Sequence, residues 1–306
     1  MALSPNLRGS LYMALGMASF TINDAVVKQV GEHMNAAQIM FVRGAMATVL
    51  VALLAWARNA IIPLSRVHHP MLYLRIAGEV GGTLMFIIAL THVPLALTAA
   101  IFQALPLAIT IGAALFLNEP VGWRRWVAIF VGFVGVLIIV RPGVTGFSIY
   151  SLLILLAVVL AATRDLATRA LPSFIPALMI SALTSAVITV SGGVMVGPLG
   201  GWRPMNATNI SLLACAAVFV LIGYQFLIMA VRTGDISFIA PFRYTGLLWA
   251  IALGYAIFGD IPDVMMITGS VIVVSSGLYT LYREHQASRL KPATTAIVAS
   301  TEEARS

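Results

Sequence analysis

Ten apolar runs, each long enough to cross a lipid bilayer and separated by short polar loops, constrain this chain more than any other feature. A spanning helix needs about 20 mostly apolar residues. Read between charges, glycines and prolines, the runs are 9–30, 36–56, 70–91, 93–116, 122–140, 147–170, 176–197, 209–230, 237–258 and 263–281. Only 9% of the residues are charged, against about 25% in soluble domains, so water cannot be the main solvent of the folded chain. In lipid every backbone polar group must be satisfied internally, which makes runs of this length helices. The expected fold class is therefore an all-α integral membrane protein with ten transmembrane helices. The first run, entered through MALSPNLRGS and containing Asn23, Asp24 and Lys28, is expected to be a retained span and not a signal peptide. The tail 284–306 is polar and rich in Ala, Ser and Thr, and is expected to be disordered.

Loop charges orient the chain. Counted alternately, one set of loops holds twelve basic residues: Arg8, Arg58, Arg66, Arg124, Arg125, Arg164, Arg169, Arg232, Arg283, Arg289, Lys291 and Arg305. The other set holds three, Lys28, Arg141 and Arg203, while Arg43, Arg75 and Arg243 lie inside spans. Cytoplasmic loops carry the excess of Lys and Arg, so both termini are expected in the cytoplasm and the chain in a bacterial inner membrane. The net charge of +7 is scattered singly through loops and forms no patch for nucleic acid. The single cysteine, Cys215, leaves no internal disulfide and no zinc-ligand spacing.

The two halves repeat. Asn23-Asp24-Ala25-Val26-Val27-Lys28 aligns with Arg164-Asp165-Leu166-Ala167-Thr168-Arg169, each an acid followed four residues later by a base. FIIALTHVPLALTAAIFQALP, from Phe86 to Pro106, aligns without gaps with FLIMAVRTGDISFIAPFRYTG, from Phe226 to Gly246, setting Gln103 opposite Arg243. Five spans per half turn the second half upside down. Inverted repeats place a substrate site near the midplane and allow alternating access by rocking one half on the other. The expected domains are 9–141 (helices 1–5), 147–283 (helices 6–10) and the tail.

The run from Ala89 to Gly143 holds Pro94, the Ala99–Ala100 pair, Pro106, Asn118-Glu119-Pro120, Trp126 and Gly132-x-x-Gly135. With these residues it resembles the EamA domain of the drug/metabolite transporter superfamily. The second half resembles it more weakly, through Pro241, Asp260 and Ser275-Ser276-Gly277. The resemblance spans about residues 9 to 283. It implies ten helices, cytoplasmic termini and a central cavity lined by helices 1–4 and 6–9, with helices 5 and 10 peripheral. The Asn-Asp-x-x-x-Lys of helix 1 and the arginine of helix 2 are similar to those of bacterial riboflavin transporters and of S-adenosylmethionine transporters. This implies a secondary transporter of a small organic metabolite, with riboflavin uptake the first expectation. S-adenosylmethionine transport and amino-acid or metabolite export are the alternatives.

Ionisable groups inside spans face a cavity or a partner. Asp24 and Arg43 lie at one depth, roughly 9–10 Å from the same end of helices 1 and 2. They are expected to form an ion pair, either functional or fixing the packing. Glu79, close to the midplane, is either paired with Arg75 four residues earlier or able to carry a proton, which makes protons the candidate coupling ion. Arg164 and Arg169, near the cytoplasmic end of helix 6, are expected to snorkel to the headgroups. Gln103 sits beside Phe102 and before Pro106; its counterpart region is Pro241, Phe242, Arg243, Tyr244 and Thr245. Phe86, Phe102, Gln103, Tyr224, Gln225, Arg243, Tyr244 and Trp249 are candidate lining residues, since a flat heteroaromatic ligand stacks on rings and hydrogen-bonds along its edge. Gly78 with Gly82, and Gly193 with Gly197, permit close helix approach.

An intramembrane enzyme would need converging catalytic groups, and the sequence shows no His-x-x-x-His pair, no Cys-His constellation and no phosphate loop. A receptor or scaffold would need longer loops, and inverted halves suit a carrier better than an open channel. No enzyme activity, cofactor or metal is expected. The expected partners are a small-molecule substrate and the lipid bilayer, with the chain acting as a monomer or homodimer.

Overall fold

Regular structure is helical throughout the described residues, with no strand among them. The computed structural model describes residues 4–64, 67–118, 121–142, 148–172, 174–233 and 236–303. Arg66, Glu119, Pro120, Gly143 and Arg305, used above, lie outside them. The helices are α1 (Pro5–Gly31), α2 (Ala36–Ala57), α3 (Pro70–Leu90), α4 (Leu95–Phe102), α5 (Leu105–Phe116) and α6 (Trp123–Val140). They continue as α7 (Ile149–Arg169), α8 (Ala177–Met195), α9 (Ala207–Thr233), α10 (Ile236–Ile239), α11 (Thr245–Leu253) and α12 (Val264–Glu303). A 3-10 turn, Ala240–Tyr244, joins α10 to α11, and a π-helical turn, Gly254–Phe258, follows α11.

Among the described residues, eight stretches are long and apolar enough to cross a membrane: α2, α3, the α4–α5 stretch, α6, α7, α8, α9 and α12 as far as Arg283. The first and ninth expected spans fall short for opposite reasons. α1 has the length, 27 residues, but carries Arg8, Asp24 and Lys28. The ninth is apolar but broken, because Pro241 has no N–H to continue a helix. The α4–α5 stretch breaks similarly at Gln103–Ala104, just before Pro106. α12 runs on past the last expected span as far as Glu303. Extending an existing helix needs no new nucleation.

Side chains start several helices where the apolar runs begin. Ser4 caps α1 ahead of Pro5, Asn35 caps α2, and His69 caps α3 ahead of Pro70. Ser148 caps α7, and Asp263 accepts from the Met266 backbone N–H at 2.8 Å to open α12. That backbone bond, helped by Arg141, holds the Asp263 carboxyl below its ordinary value.

Each long helix packs most extensively on one from the other half of the chain: α1 on α9, α2 on α8, α3 on α7, and α6 on α12. The broken segments face each other through α4 and α11. Glycine sits at the crossings. A Cβ on Gly78 would stand 2.8 Å from the Leu160 carbonyl oxygen, and one on Gly135 2.9 Å from that of Gly269. Gly192 lies against the backbone of Phe41, and Gly16 against the Gly223 carbonyl.

Burial is uneven along the bundle axis. The two large apolar clusters draw mostly on the end that carries Lys28, through residues such as Val30, Met34, Ile39, Leu90, Leu95 and Leu213 in one and Val93, Val136, Val140 and Ile154 in the other. The opposite end, where α1 begins, has two small clusters, around Val67 and Met179 and around Met13 and Ile239. Polar contacts also tie the Lys28 end. Gln38, fully buried, donates to the Arg203 carbonyl at 2.8 Å and accepts from the Arg203 N–H at 3.0 Å. Asn35 donates to the Gly201 carbonyl, His92 stacks on Tyr150 with centroids 4.1 Å apart, and Arg141 pairs with Asp263.

The Gly78 crossing has room for nothing larger than hydrogen. Gly78→Val should cost about 1–3 kcal/mol of stability by overpacking, read as a lower melting temperature in detergent. Gly197→Ala, with open space around it, should leave the melting temperature unchanged.

Candidate functional site

Six charged side chains gather near mid-depth, three basic and three acidic. They come from α1 (Asp24), α2 (Arg43), α3 (Arg75 and Glu79) and α7 (Arg164 and Asp165). Their formal charges sum to zero, which a group of charges in low dielectric requires if it is not to carry a large solvation cost.

Glu79 is the hub of one part. Its Oε1 accepts from Arg164 Nη1 at 3.2 Å, and its Oε2 lies 3.9 Å from Arg75 Nη2. Arg164 Nε also reaches Asp165 Oδ1 at 2.8 Å. Arg75 donates to the Thr184 hydroxyl of α8 and keeps a buried Nε with no partner. The expected Arg75–Glu79 contact is thus present, as the weaker of two. The expectation that Arg164 snorkels is corrected. Distance from the helix end suggested the headgroups, but α7 lies against α3 at Gly78, and the guanidinium turns inward to Glu79.

The other part is built on α1 and α2. In place of the expected direct Asp24–Arg43 ion pair, Asn23 stands between the two. Arg43 Nη1 donates to Asn23 Oδ1 at 3.0 Å, and Asn23 Nδ2 donates to Asp24 Oδ1 at 2.9 Å. Arg43 lies within electrostatic range of Asp24, Tyr224 and Glu79, so the two parts form one cluster. Tyr224 of α9 is in electrostatic range of Glu79, Arg164, Arg75 and Asp165. Its ring meets Phe20 edge-on at 5.1 Å. It is nonetheless 48% exposed. The half-buried charges are therefore open on the side where Tyr224 stands.

Of the remaining candidates, Phe86 and Phe102 pair edge to face at 5.2 Å between α3 and α4. Gln103 lies at the α4–α5 break and Arg243 in the 3-10 turn, so the aligned positions fall on matching breaks. Arg243 and Gln225 are exposed and Trp249 is 41% exposed. Tyr244 does not join the centre. It is buried with its hydroxyl unpartnered, pressed onto Gly277 of α12, because that glycine leaves a notch the ring fills. Asn23, Thr184 and Asp165 were not among the expected site residues. The Asp24–Asp165 alignment was the signal that could have found Asp165.

Lys28 lies a turn beyond Asp24. Its Nζ donates to the carbonyls of Leu90 (3.3 Å) and Val93 (2.5 Å) and lies 5.3 Å from the Phe258 ring centroid. It ties α1 to the α3–α4 connection and to the end of the ninth span. A cavity of about 550 Å³ opens at this same end beside Glu32, Arg203 and Asn209, away from the central charges.

The model of the EamA-like transporter family matches residues 7–141. A pseudopaline exporter of Pseudomonas aeruginosa is 30% identical over 273 residues, covering 87% of this chain and 93% of the relative. An S-adenosylmethionine uptake transporter of Rickettsia prowazekii is 25% identical over 292 residues, covering 92% and 95%. A riboflavin transporter of Brucella anthropi is 27% identical over 226 residues, covering 72% and 80%. A solved crystal structure, 14% identical, superposes with a TM-score of 0.59 over 89% of this chain and 97% of its own, a likeness of fold.

If Arg164 serves Glu79, removing it strands a buried carboxylate. Arg164→Met should cost about 3–5 kcal/mol, and adding Glu79→Gln should recover part of that loss. Independent, additive effects on the melting temperature would show that the two do not act as a pair.

Proposed function

We propose that this chain, which belongs to the EamA-like transporter family, is a secondary transporter moving a small organic metabolite across the bacterial inner membrane by alternating access. The observation that carries this reading is a charge-balanced polar cluster, with Tyr224 half-exposed beside it, at mid-depth of an otherwise apolar bundle. Intramembrane ionisable groups facing a cavity mark substrate or ion pathways.

Ten spans in two inverted halves, 9–141 and 147–283, frame that site, with 284–306 beyond the last span. Two features support this. The breaks at Gln103 and Arg243 fall on aligned positions, and matched discontinuous helices are a mark of transporter binding sites. The packing pairs also map onto themselves when each span is exchanged for its counterpart five places on: first with eighth, second with seventh, third with sixth, fourth with ninth, fifth with tenth. With both termini cytoplasmic, the tightly packed Lys28 end faces outward.

Riboflavin uptake is the first cargo to test, because the resemblance pointed to it and the Phe86–Phe102 pair and Tyr224 supply aromatic faces. S-adenosylmethionine is the alternative, alongside export of amino-acid metabolites. Protons are the candidate coupling ion, through Glu79.

Proteoliposomes holding the full chain should take up a cargo with saturable kinetics; conductance at high rate without saturation would mean a channel. Glu79→Gln, if folded, should lose uptake driven by a pH gradient while keeping exchange of cargo between the two sides. Undiminished pH-driven uptake in that variant would remove Glu79 from the coupling path.

A further inference from the structure

Two of the six central charges are left open. Arg164 touches both Glu79 and Asp165 directly. Asp24 and Arg43, at one depth on consecutive helices, are linked only through the neutral amide of Asn23. Among the described residues that amide is the one hydrogen-bond partner of the Asp24 carboxylate and of the Arg43 guanidinium. Asp24 keeps its second oxygen and Arg43 most of its N–H groups for something else. A charge held this deep without a direct counter-charge is costly. The cost is offset when a ligand brings both missing partners.

We propose that Asp24 and Arg43, held apart by Asn23, form a receptor for a zwitterion, so that the cargo carries an α-amino-acid group. Its ammonium sits on Asp24 and its carboxylate on Arg43. The rest of the molecule extends toward the half-exposed Tyr224 and Phe20, where a ring and a hydroxyl are available. A zwitterionic head leaves the cluster neutral on loading, with three acids and three bases balanced as before. This assignment rests on the transporter reading above and narrows it to the amino-acid-bearing class.

The test uses the full chain in proteoliposomes, with radiolabelled S-adenosylmethionine, which bears an α-amino-acid group, and riboflavin, which does not. The expected result is saturable S-adenosylmethionine flux inhibited by L-methionine. L-methionine methyl ester, lacking the carboxylate, and 3-(methylthio)propanoate, lacking the ammonium, should compete poorly. Asp24→Asn and Arg43→Gln should each raise KM about tenfold or more, the scale of one charge-assisted hydrogen bond, with kcat less affected. Asp24→Glu should recover most of the affinity. Where a variant fails to fold, the competitor series on the unaltered chain decides. Riboflavin flux untouched by the amino-acid compounds would overturn the zwitterion site and leave the transporter standing. An unchanged KM in folded Asp24→Asn would likewise overturn it. No saturable flux of either compound through correctly inserted protein would overturn both.

Discussion

The meeting of Glu79 and Arg164 between α3 and α7 is the interaction on which the rest of the centre depends. An isolated charge at that depth costs several kcal/mol, and each of the two side chains offsets that cost for the other. They meet because the two helices approach closely at Gly78, where a Cβ would strike the Leu160 carbonyl oxygen and stand 3.2 Å from the Arg164 backbone nitrogen. The glycine before Glu79 is thus what brings Arg164 within reach of it. Arg75, one turn away, spans the other side of Glu79 and continues to Thr184 on α8.

Much of the architecture was legible because lipid leaves few choices. Apolar runs of this length become helices, and eight of them qualify as spans on length and apolarity. The breaks could be read from Pro106 and Pro241, since a missing N–H interrupts a helix wherever it falls. The close-packing role of Gly78 could be read from its spacing with Gly82, but the same spacing misled at Gly197, which stands in open space. What could not be read was which helix faces which. Arg164 seemed bound for the headgroups because its distance from the helix end was known and its neighbour α3 was not. Tyr244 seemed a lining residue because the Gly277 notch on α12 lies 33 positions away in sequence and leaves no local mark. Asn23 was passed over because an amide beside two charges carries no signal until its two hydrogen bonds are seen.

The scaffold is nearly symmetric, whereas its chemistry is not. At offsets of 140 or 141 residues, Asn23 and Asp24 correspond to Arg164 and Asp165, and Arg43 to Thr184. Arg75 and Glu79, however, correspond to Cys215 and Phe219. The first half therefore supplies the acid and base of helix 3 that the second half lacks. A symmetric frame lets two end states have similar energies, while an asymmetric site gives the cargo one preferred pose.

Interleaving of the halves also bears on how such a frame could move. A half cannot rock as a body when each of its long helices packs chiefly on one from the other half. The natural bodies are mixed. α1 and α2 go with α8 and α9, whereas α3, α4 and α5 go with α7, and α11 touches both bodies through α1 and α4. Asn23, Asp24, Arg43 and Tyr224 then sit on one body, and Arg75, Glu79, Arg164 and Asp165 on the other. The polar cluster straddles the seam. Lys28 closes that seam at one end, reaching from α1 to the Leu90 and Val93 carbonyls, and Arg75 to Thr184 closes it at mid-depth. Opening toward the Lys28 end has to release the lysine from two carbonyl acceptors and part the apolar packing around Val30 and Leu90.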